Sequence, residues 1–424
     1  MRLNLHSTRA GRIILYGLIS TSLRMSVGAT SVIYLMAHSV TLAQIGAMKA
    51  MQATLILLLD VPLSMLADRR GRGIVLMGGN LAAGLWLGVT AWSTTVPGFF
   101  VAEALNAVGL AAFNGVFSAL LVQTYEKETG CRDFENILGW FGKWQFLLMA
   151  IAAAGGAWLY DGQSAQVWWV AAVGMIGLVL ATPFLIEVSI KKTPSGARLQ
   201  HTADNGGPVV GGPFEEGDET DSSGAQAPRR WPILHILGSA PSLGALAAAL
   251  VGISLAFQVL LQFWQPVIDS KLASDDHAGM WFGAAFVVFL LAQSVAAHCV
   301  RRYANVTHGR CARLMFVVGL SAVIVLFPQL PLAATIAAVA AGFFIVKGLS
   351  IVVLADVQRI VPDKYWSTTE STIASVSRVL FIATMPLIGA FGDTTDVESI
   401  LVVVFVLMVG SFLAMANSRP PRTG

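Results

Sequence analysis

Charged residues are scarce in this sequence. Asp, Glu, Lys and Arg together account for 12% of its 424 residues, whereas 55% are hydrophobic. Soluble globular chains carry roughly twice that share of charge, so the composition excludes a soluble domain and predicts a polytopic membrane protein. The net charge of +3 is too small, and the basic residues are too dispersed, for a nucleic-acid partner.

Cysteine and the common catalytic motifs are also scarce. The three cysteines, Cys131, Cys299 and Cys311, fall on or beside predicted cytoplasmic loops, which argues against a disulfide framework, and no metal-ligand spacing is present. The sequence has no glycine-rich phosphate loop with a lysine and no evident pair of nucleophile and base. We therefore expect neither an enzyme nor an ATP-driven pump, and no bound cofactor.

Long apolar runs dominate the chain instead. Because a helix needs about 20 mostly apolar residues to cross a bilayer, these runs predict an all-α membrane protein with twelve transmembrane helices. Their approximate bounds are 12–36, 42–66, 73–94, 97–124, 136–160, 165–187, 235–266, 278–300, 311–328, 331–357, 367–391 and 397–416.

A polar segment at 191–231 divides these helices six plus six. It repeats Gly-Gly-Pro and carries an acidic run at 215–219, a composition that predicts a disordered linker. The domains are therefore an N-terminal six-helix bundle at 1–190, the linker at 191–231 and a C-terminal six-helix bundle at 232–424. Apart from Lys271, the loop lysines and arginines fall on one set of helix ends. This distribution places the linker and both termini in the cytoplasm, in an inner or plasma membrane.

A charged motif lies at the end of the second predicted helix and continues beyond it. Asp60-Val61-Pro62 is followed by Asp68-Arg69-Arg70-Gly71-Arg72, which we interpret as a tight loop between two long helices. This spacing resembles the signature loop of the major facilitator superfamily, between its second and third helices. The Asp-Val-Pro segment resembles the branches of drug:proton antiporters and siderophore exporters. The resemblance implies two six-helix bundles around a central cavity, and gating by Asp60, Asp68, Arg69 and Arg72, which would hold the cytoplasmic side closed.

Ionisable residues inside the predicted helices are candidates for function, because burying them in a bilayer is costly. Basic residues outnumber acidic ones there. The basic residues are Arg24, Lys49, Lys143, Lys347 and Arg378, and the acidic ones are Glu103, with Asp60 and Asp356 nearer the cytoplasmic ends. This surplus of cations predicts a cavity that attracts an anion, for which arginine is well suited.

Lys49 and Glu103 lie at similar depth on the second and fourth helices, if each residue adds about 1.5 Å. We expect them to form an ion pair, with Glu103 as the candidate for proton coupling. A permanent structural salt bridge is the alternative. Asn106 and Asn114 are spaced to share the face of Glu103.

Six residues are candidates for substrate binding. The resemblance places the first, fourth, seventh and tenth helices around the cavity, so Arg24 would face the substrate, and Arg378 reaches a similar depth. Lys143 and Lys347 either face the cavity or extend to the lipid headgroups. Gln258 and Gln262 share a helix face with Gln265, an amide stripe that serves either cargo or bonds between helices.

These residues and the resemblance predict a secondary transporter that works by alternating access. We expect proton-coupled export of a small organic compound, anionic in view of the cations, such as a drug or siderophore. The alternatives are a proton-coupled importer of an organic anion or phosphate ester, and a receptor or scaffold that has lost transport. Its partners would be the small-molecule substrate, protons and membrane lipids, and we expect a monomer.

Overall fold

The computed structural model describes residues 8–114, 116–130, 134–160, 164–186, 241–272, 278–303, 331–361 and 366–417. Helices joined by short connections account for most of these residues, with no β-strand in any of the described ranges. The predicted all-α fold is therefore confirmed. The predicted ninth helix and the linker, together with Cys131 and Cys311, lie outside the described residues.

The described part of the chain contains thirteen α-helices and one 3₁₀ turn. The first half contains α1 Arg9–Met25, α2 Ser31–Ala37, α3 Leu42–Arg70, α4 Arg72–Trp92, α5 Val96–Phe113, α6 Val116–Thr129, α7 Phe134–Trp158 and α8 Gln166–Leu185. The second half contains α9 Pro241–Leu272, α10 Ala278–Tyr303, α11 Leu332–Ile360, α12 Trp366–Thr394, the 3₁₀ turn Val397–Ser399 and α13 Ile400–Asn417.

Eleven of the twelve predicted spans correspond to these helices. The first span is broken into α1 and α2, and the fourth into α5 and α6. Within the described ranges, eight apolar segments are long enough to cross a membrane by length and composition. A multi-pass membrane protein is therefore the architecture that the structure supports.

The connection between α3 and α4 differs from the tight loop expected at Asp60–Arg72. α3 continues through Pro62 to Arg70, and the only residue between the two helices is Gly71, with φ of 109°. Glycine adopts this conformation readily because it has no Cβ. Asp68 and its basic neighbour Arg69 therefore lie on the last turn of a helix. A capping box of Thr41 and Gln44 begins the same helix at its other end.

Among the described helices, the two halves meet mainly along three pairs: α3 with α12, α7 with α10, and α2 with α9. We call the end of the bundle that carries Gly71 the basic end and the end where α3 begins the far end. At the far end the contact between α3 and α12 is close. A methyl group built on Gly46 would overlap the backbone of Met385, and one on Gly389 would overlap the backbone of Leu42. Small residues here allow the two backbones to touch.

A carboxylate from the second half also binds the first half at the far end. Asp393, on the last turn of α12, accepts hydrogen bonds from the backbone N–H groups of Leu42 and Ala43, at 2.9 and 2.8 Å. These N–H groups belong to the first turn of α3 and have no partner within that helix. Asp393 therefore links the two halves at the far end.

Candidate functional site

A cavity of about 230 Å³ lies where the two halves meet. Its lining comes from α1 to α5 and α8 of the first half and from α9 and α10 of the second. Three charged side chains line it: Arg24, Lys49 and Glu103. The sequence singled out all three, and the structure brings them together.

Arg24 lies on the last turn of α1, and its guanidinium points toward α5. Nη2 donates to the side-chain Oδ1 of Asn106 at 2.9 Å and to the backbone oxygen of the same residue at 3.4 Å. Gly109 allows this approach, since a methyl group there would lie 3.0 Å from Nη1. The guanidinium carbon is 5.7 Å from the ring centroid of Trp86. Among the described residues, no carboxylate lies within ion-pair distance of Arg24.

Glu103 forms the ion pair predicted with Lys49. Lys49 Nζ lies 3.0 Å from Glu103 Oε1, and both side chains are largely buried, at 16% and 8% exposed. The second oxygen, Oε2, accepts a hydrogen bond from Asn106 Nδ2 at 3.2 Å. Both oxygens of the carboxylate are therefore used inside the protein. Asn114, the other asparagine expected on this face, is exposed at the end of α5 and does not join the group.

The charged residues that line the cavity do not balance. Arg24 and Lys49 are cations, and Glu103 is the one carboxylate that lines the cavity with them. The lining therefore has a net charge of +1 when all three are ionised. An unpaired charge is costly away from water, and one cation of the lining has no counter-ion among the lining residues.

Aromatic rings form much of the remaining wall. They are Trp86, Phe99, Trp168, Trp264 and Phe286. The rings of Trp86 and Trp168 meet edge to face with centroids 5.8 Å apart, and those of Trp264 and Phe286 stack at 5.8 Å. Such packing holds the rings in place. The cavity therefore combines one surplus positive charge with a rigid apolar wall.

The amide stripe of α9 divides between two uses. Gln262 lines the cavity, whereas Gln258 is half-buried outside it. Gln265 accepts a hydrogen bond from the backbone N–H of Val32 at 2.8 Å and donates to the backbone oxygen of Gly28 at 2.9 Å. These backbone groups lie at the break between α1 and α2, so Gln265 satisfies non-helical backbone of the opposite half.

The other three candidates for substrate binding lie outside this cavity. Arg378 Nη1 pairs with Asp60 Oδ2 at 3.1 Å, which joins α12 to α3. Lys143 is exposed on α7, with Nζ 5.9 Å from the ring centroid of Trp144. Lys347 is half-buried on α11 and has no ion pair with a described residue. A role for these residues in binding stays a prediction.

Of the charged motif, Asp68 and Arg72 make their contacts within the first half of the molecule, whereas Asp60 pairs with Arg378 of the second half. Asp68 is largely exposed and pairs with Arg72 at 3.5 Å. Arg72 also donates to the backbone oxygen of Ala119 at 3.1 Å, and Arg69 is exposed. Within the described ranges Asp68 has no recorded bond to the second half, so its gating role also stays a prediction.

Sequence reasoning missed the central position of Asn106. Its spacing of three residues from Glu103 indicated a shared helix face, and the structure confirms that contact. The bond to Arg24 had no signal in the sequence, because it depends on how α1 packs against α5. The aromatic wall was missed for the same reason, since a tryptophan near a helix end also fits the lipid interface.

Comparison with known proteins agrees with this architecture. The Major Facilitator Superfamily model matches residues 13–365 of the chain. The crystal structure of the nucleoside transporter NupG superposes with a TM-score of 0.72 at 13% identity, covering 98% of this chain and 99% of that one. A bacterial homologue of the human lysosomal transporter Spinster, inward-facing and unoccupied, gives 0.69 at 12% identity and covers 98% of both chains. No curated protein matches the sequence significantly. At these identities, the likeness to solved structures shows the fold alone.

Proposed function

Because this chain belongs to the major facilitator superfamily, a family of secondary transporters, we propose that it carries a small organic anion by alternating access, coupled to protons. The observation that supports an anion is the position of Arg24. It lines the cavity between the halves, and no carboxylate of the described residues pairs with it. Arginine binds carboxylate and phosphate groups through two parallel hydrogen bonds.

The size and walls of the cavity support a compact cargo. Ligand sites in proteins are commonly about 300–1,000 Å³, and this cavity, at about 230 Å³, is smaller. It suits a compact organic acid or drug-like anion better than a large polycarboxylate siderophore. Gln262 and the aromatic wall supply the contacts for the uncharged part of the cargo.

Glu103 is the proposed proton carrier. It is a largely buried carboxylate that lines the cavity, and it bonds both to Lys49 and to the residue that binds Arg24. A proton on Glu103 would change the charge that the cargo meets. The ion pair with Lys49 compensates the carboxylate while it is ionised.

Two directions of transport have separate support. Export is supported by the resemblance of Asp60-Val61-Pro62 to the drug:proton antiporters. Uptake together with a proton is supported by the charge of the cavity, which rises from +1 to +2 when Glu103 is protonated. In both cases we propose that the basic end faces the cytoplasm and that the far end faces outside, as the distribution of lysine and arginine predicts.

The test is anion-driven proton movement in proteoliposomes. The full chain is reconstituted with a pH-sensitive dye inside, and a panel of aromatic and aliphatic carboxylates and phosphate esters is added outside. We expect at least one anion, and no neutral amide of the same shape, to move protons. Arg24→Leu should abolish the signal, whereas Arg302→Ala, a change at an exposed residue of the basic end, should not. Equal signals from anions and neutral amides, or none from any anion, would contradict the proposal.

The direction is read from the sign of the dye response. Alkaline vesicles that acidify on addition of an outside anion indicate movement of anion and proton together. Acidic vesicles that lose protons as an outside anion enters indicate exchange. Metabolite profiling of cells that lack the protein, inside and outside, would then identify the natural cargo.

A further inference from the structure

Building on the proposed function, we propose that the cargo anion and the proton bind this site cooperatively and travel together, and that Asn106 is the positioning residue that links them. Nothing in the fold requires this, because the same architecture also serves exchange and facilitated diffusion. The inference comes from a chain of hydrogen bonds that joins the anion-binding arginine to the proton-carrying carboxylate.

The chain of contacts runs through three helices. Lys49 of α3 pairs with Glu103 Oε1 at 3.0 Å, Glu103 Oε2 accepts from Asn106 Nδ2 at 3.2 Å, and Asn106 Oδ1 accepts from Arg24 Nη2 at 2.9 Å. Asn106 is 5% exposed, and both ends of its amide are used. Its orientation follows from its neighbours, because arginine can only donate and an ionised carboxylate can only accept.

Protonation of Glu103 reverses one of these requirements. A protonated carboxyl group has a hydrogen to donate. The side-chain amide of Asn106 can accept it if the amide rotates by 180°, so that Oδ1 and not Nδ2 faces Glu103. Nδ2 then faces Arg24, where a donor meets a donor, so the guanidinium loses its bond to the side chain. Arg24 Nη2 is thereby released for the cargo. The proton reaches Glu103 from solvent, and no covalent bond other than its own O–H is made.

The charges around Glu103 act in the same direction. α3 supplies Lys49 and α1 supplies Arg24, both of them cations. The described residues that α4, α8 and α9 add to the cavity are all uncharged. They are Trp86, Thr90, Trp168, Leu261, Gln262, Trp264 and Gln265. Two titratable rings pack against the lining residue Phe99: the ring centroid of His38 lies 5.7 Å from that of Phe99, and the centroid of Tyr34 lies 6.5 Å from it. Protonation therefore leaves a charge of +2 facing the cavity.

Thermodynamic linkage sets the consequence. If a proton strengthens anion binding, the anion strengthens proton binding by the same factor. We take the charge of the Glu103 carboxylate and the charge of the bound anion to be about 7 Å apart, at an effective dielectric constant near 20. Removing the carboxylate charge then strengthens anion binding by roughly fiftyfold. Allowing for screening by solvent, we expect about ten- to fiftyfold. The carrier is then mostly loaded with both ligands or with neither, which is symport, and symport favours uptake over export.

The first experiment measures proton uptake on binding. The full-length protein in detergent and weak buffer is titrated with naphthalene-2-carboxylate, and binding is read from the fluorescence of the tryptophans that line the cavity. A pH indicator counts the protons. We expect the wild type to take up protons as the probe binds, and to bind it about tenfold or more weakly at alkaline than at acidic pH.

Variants then separate positioning from structure. Glu103→Gln, which is neutral at every pH, should bind the probe tightly without taking up protons. Asn106→Leu should still bind the probe but take up fewer protons per anion, a change that a purely structural role would not produce. Asn114→Leu and His38→Gln should behave as the wild type. The wild-type measurement decides the coupling by itself if Asn106→Leu does not fold.

The outcomes distinguish the two proposals. Wild-type protein that binds the neutral amide as well as it binds the acid, or binds no member of the anion panel, overturns the proposed function and this inference with it. Wild-type protein that binds the acid with no proton uptake, or with proton release, overturns the inference alone. An unchanged proton count in Asn106→Leu removes Asn106 from the link.

Discussion

Asp393→Ala should open the far end of the molecule. The carboxylate of Asp393 accepts two backbone hydrogen bonds from the first turn of α3, at 2.9 and 2.8 Å, and so ties the second half to the first. Loss of a comparable helix cap costs about 0.5–2 kcal/mol, and a charge at a helix N-terminus adds about 0.3–1 kcal/mol when exposed. Because Asp393 is exposed, we take about 1–2 kcal/mol in total. That corresponds to a roughly five- to thirtyfold shift toward an open far end.

The assay is labelling of a cysteine in the cavity. Gln262→Cys is introduced into a chain whose three natural cysteines are replaced, and intact cells are treated with a membrane-impermeant maleimide. Asp393→Ala should raise the labelling rate by the factor given above. Asp396→Ala is the matched control, because Asp396 is exposed nearby and makes no side-chain cap bond. Unchanged labelling in Asp393→Ala, or an equal rise in Asp396→Ala, would refute the role of this contact.

Three further predictions concern the rest of the bundle. Asp60 and Arg378 form an ion pair at 3.1 Å, so Asp60→Asn and Arg378→Met should each reduce transport. If the pair is structural, the double variant Asp60→Arg with Arg378→Asp should restore part of the transport. No recovery in uptake assays would favour a direct role of Arg378 with cargo. Gln265→Leu should lower the thermal unfolding temperature, because the buried backbone N–H of Val32 and the half-buried backbone oxygen of Gly28 lose their partner, at a cost of about 1–3 kcal/mol. An unchanged melting curve would contradict this. Arg24→Leu should raise the melting temperature while it abolishes transport. A lowered melting temperature would indicate that Arg24 stabilises the fold.

The fold could be predicted from the sequence because the bilayer constrains it strongly. A run of apolar residues long enough to cross the membrane becomes a helix in order to satisfy its own backbone. The ends of the helices were harder to predict than the helices themselves. α3 continues to Arg70 although its last turn is charged, because one glycine is enough to turn the chain toward α4. The break between α1 and α2 was missed because it depends on an amide from the opposite half, Gln265.

The site could be predicted only in part. Lys49 and Glu103 were paired from their depth alone, since each helix advances by a fixed rise per residue and opposite charges at one level attract. Depth does not say which residues face each other across the two halves, so the sequence did not identify Arg378 as the partner of Asp60. Asn106 was grouped with Glu103 from spacing, but its second bond, to Arg24, depends on the packing of α1 against α5.

The arrangement around Arg24 makes a purely structural role implausible on energetic grounds. Lys49 and Glu103 already neutralise each other, so packing alone gives no reason for a second cation beside them. An amide oxygen and the face of Trp86 compensate the half-buried guanidinium of Arg24 less well than a carboxylate would. Because a charge without a counter-ion is costly away from water, an apolar side chain of similar size should suit this position better. We therefore expect the fold to be more stable without Arg24, and we propose that an arriving anion supplies the missing counter-charge. A transporter needs such a site, because the binding energy of its cargo then goes into the change of state and not into tight retention.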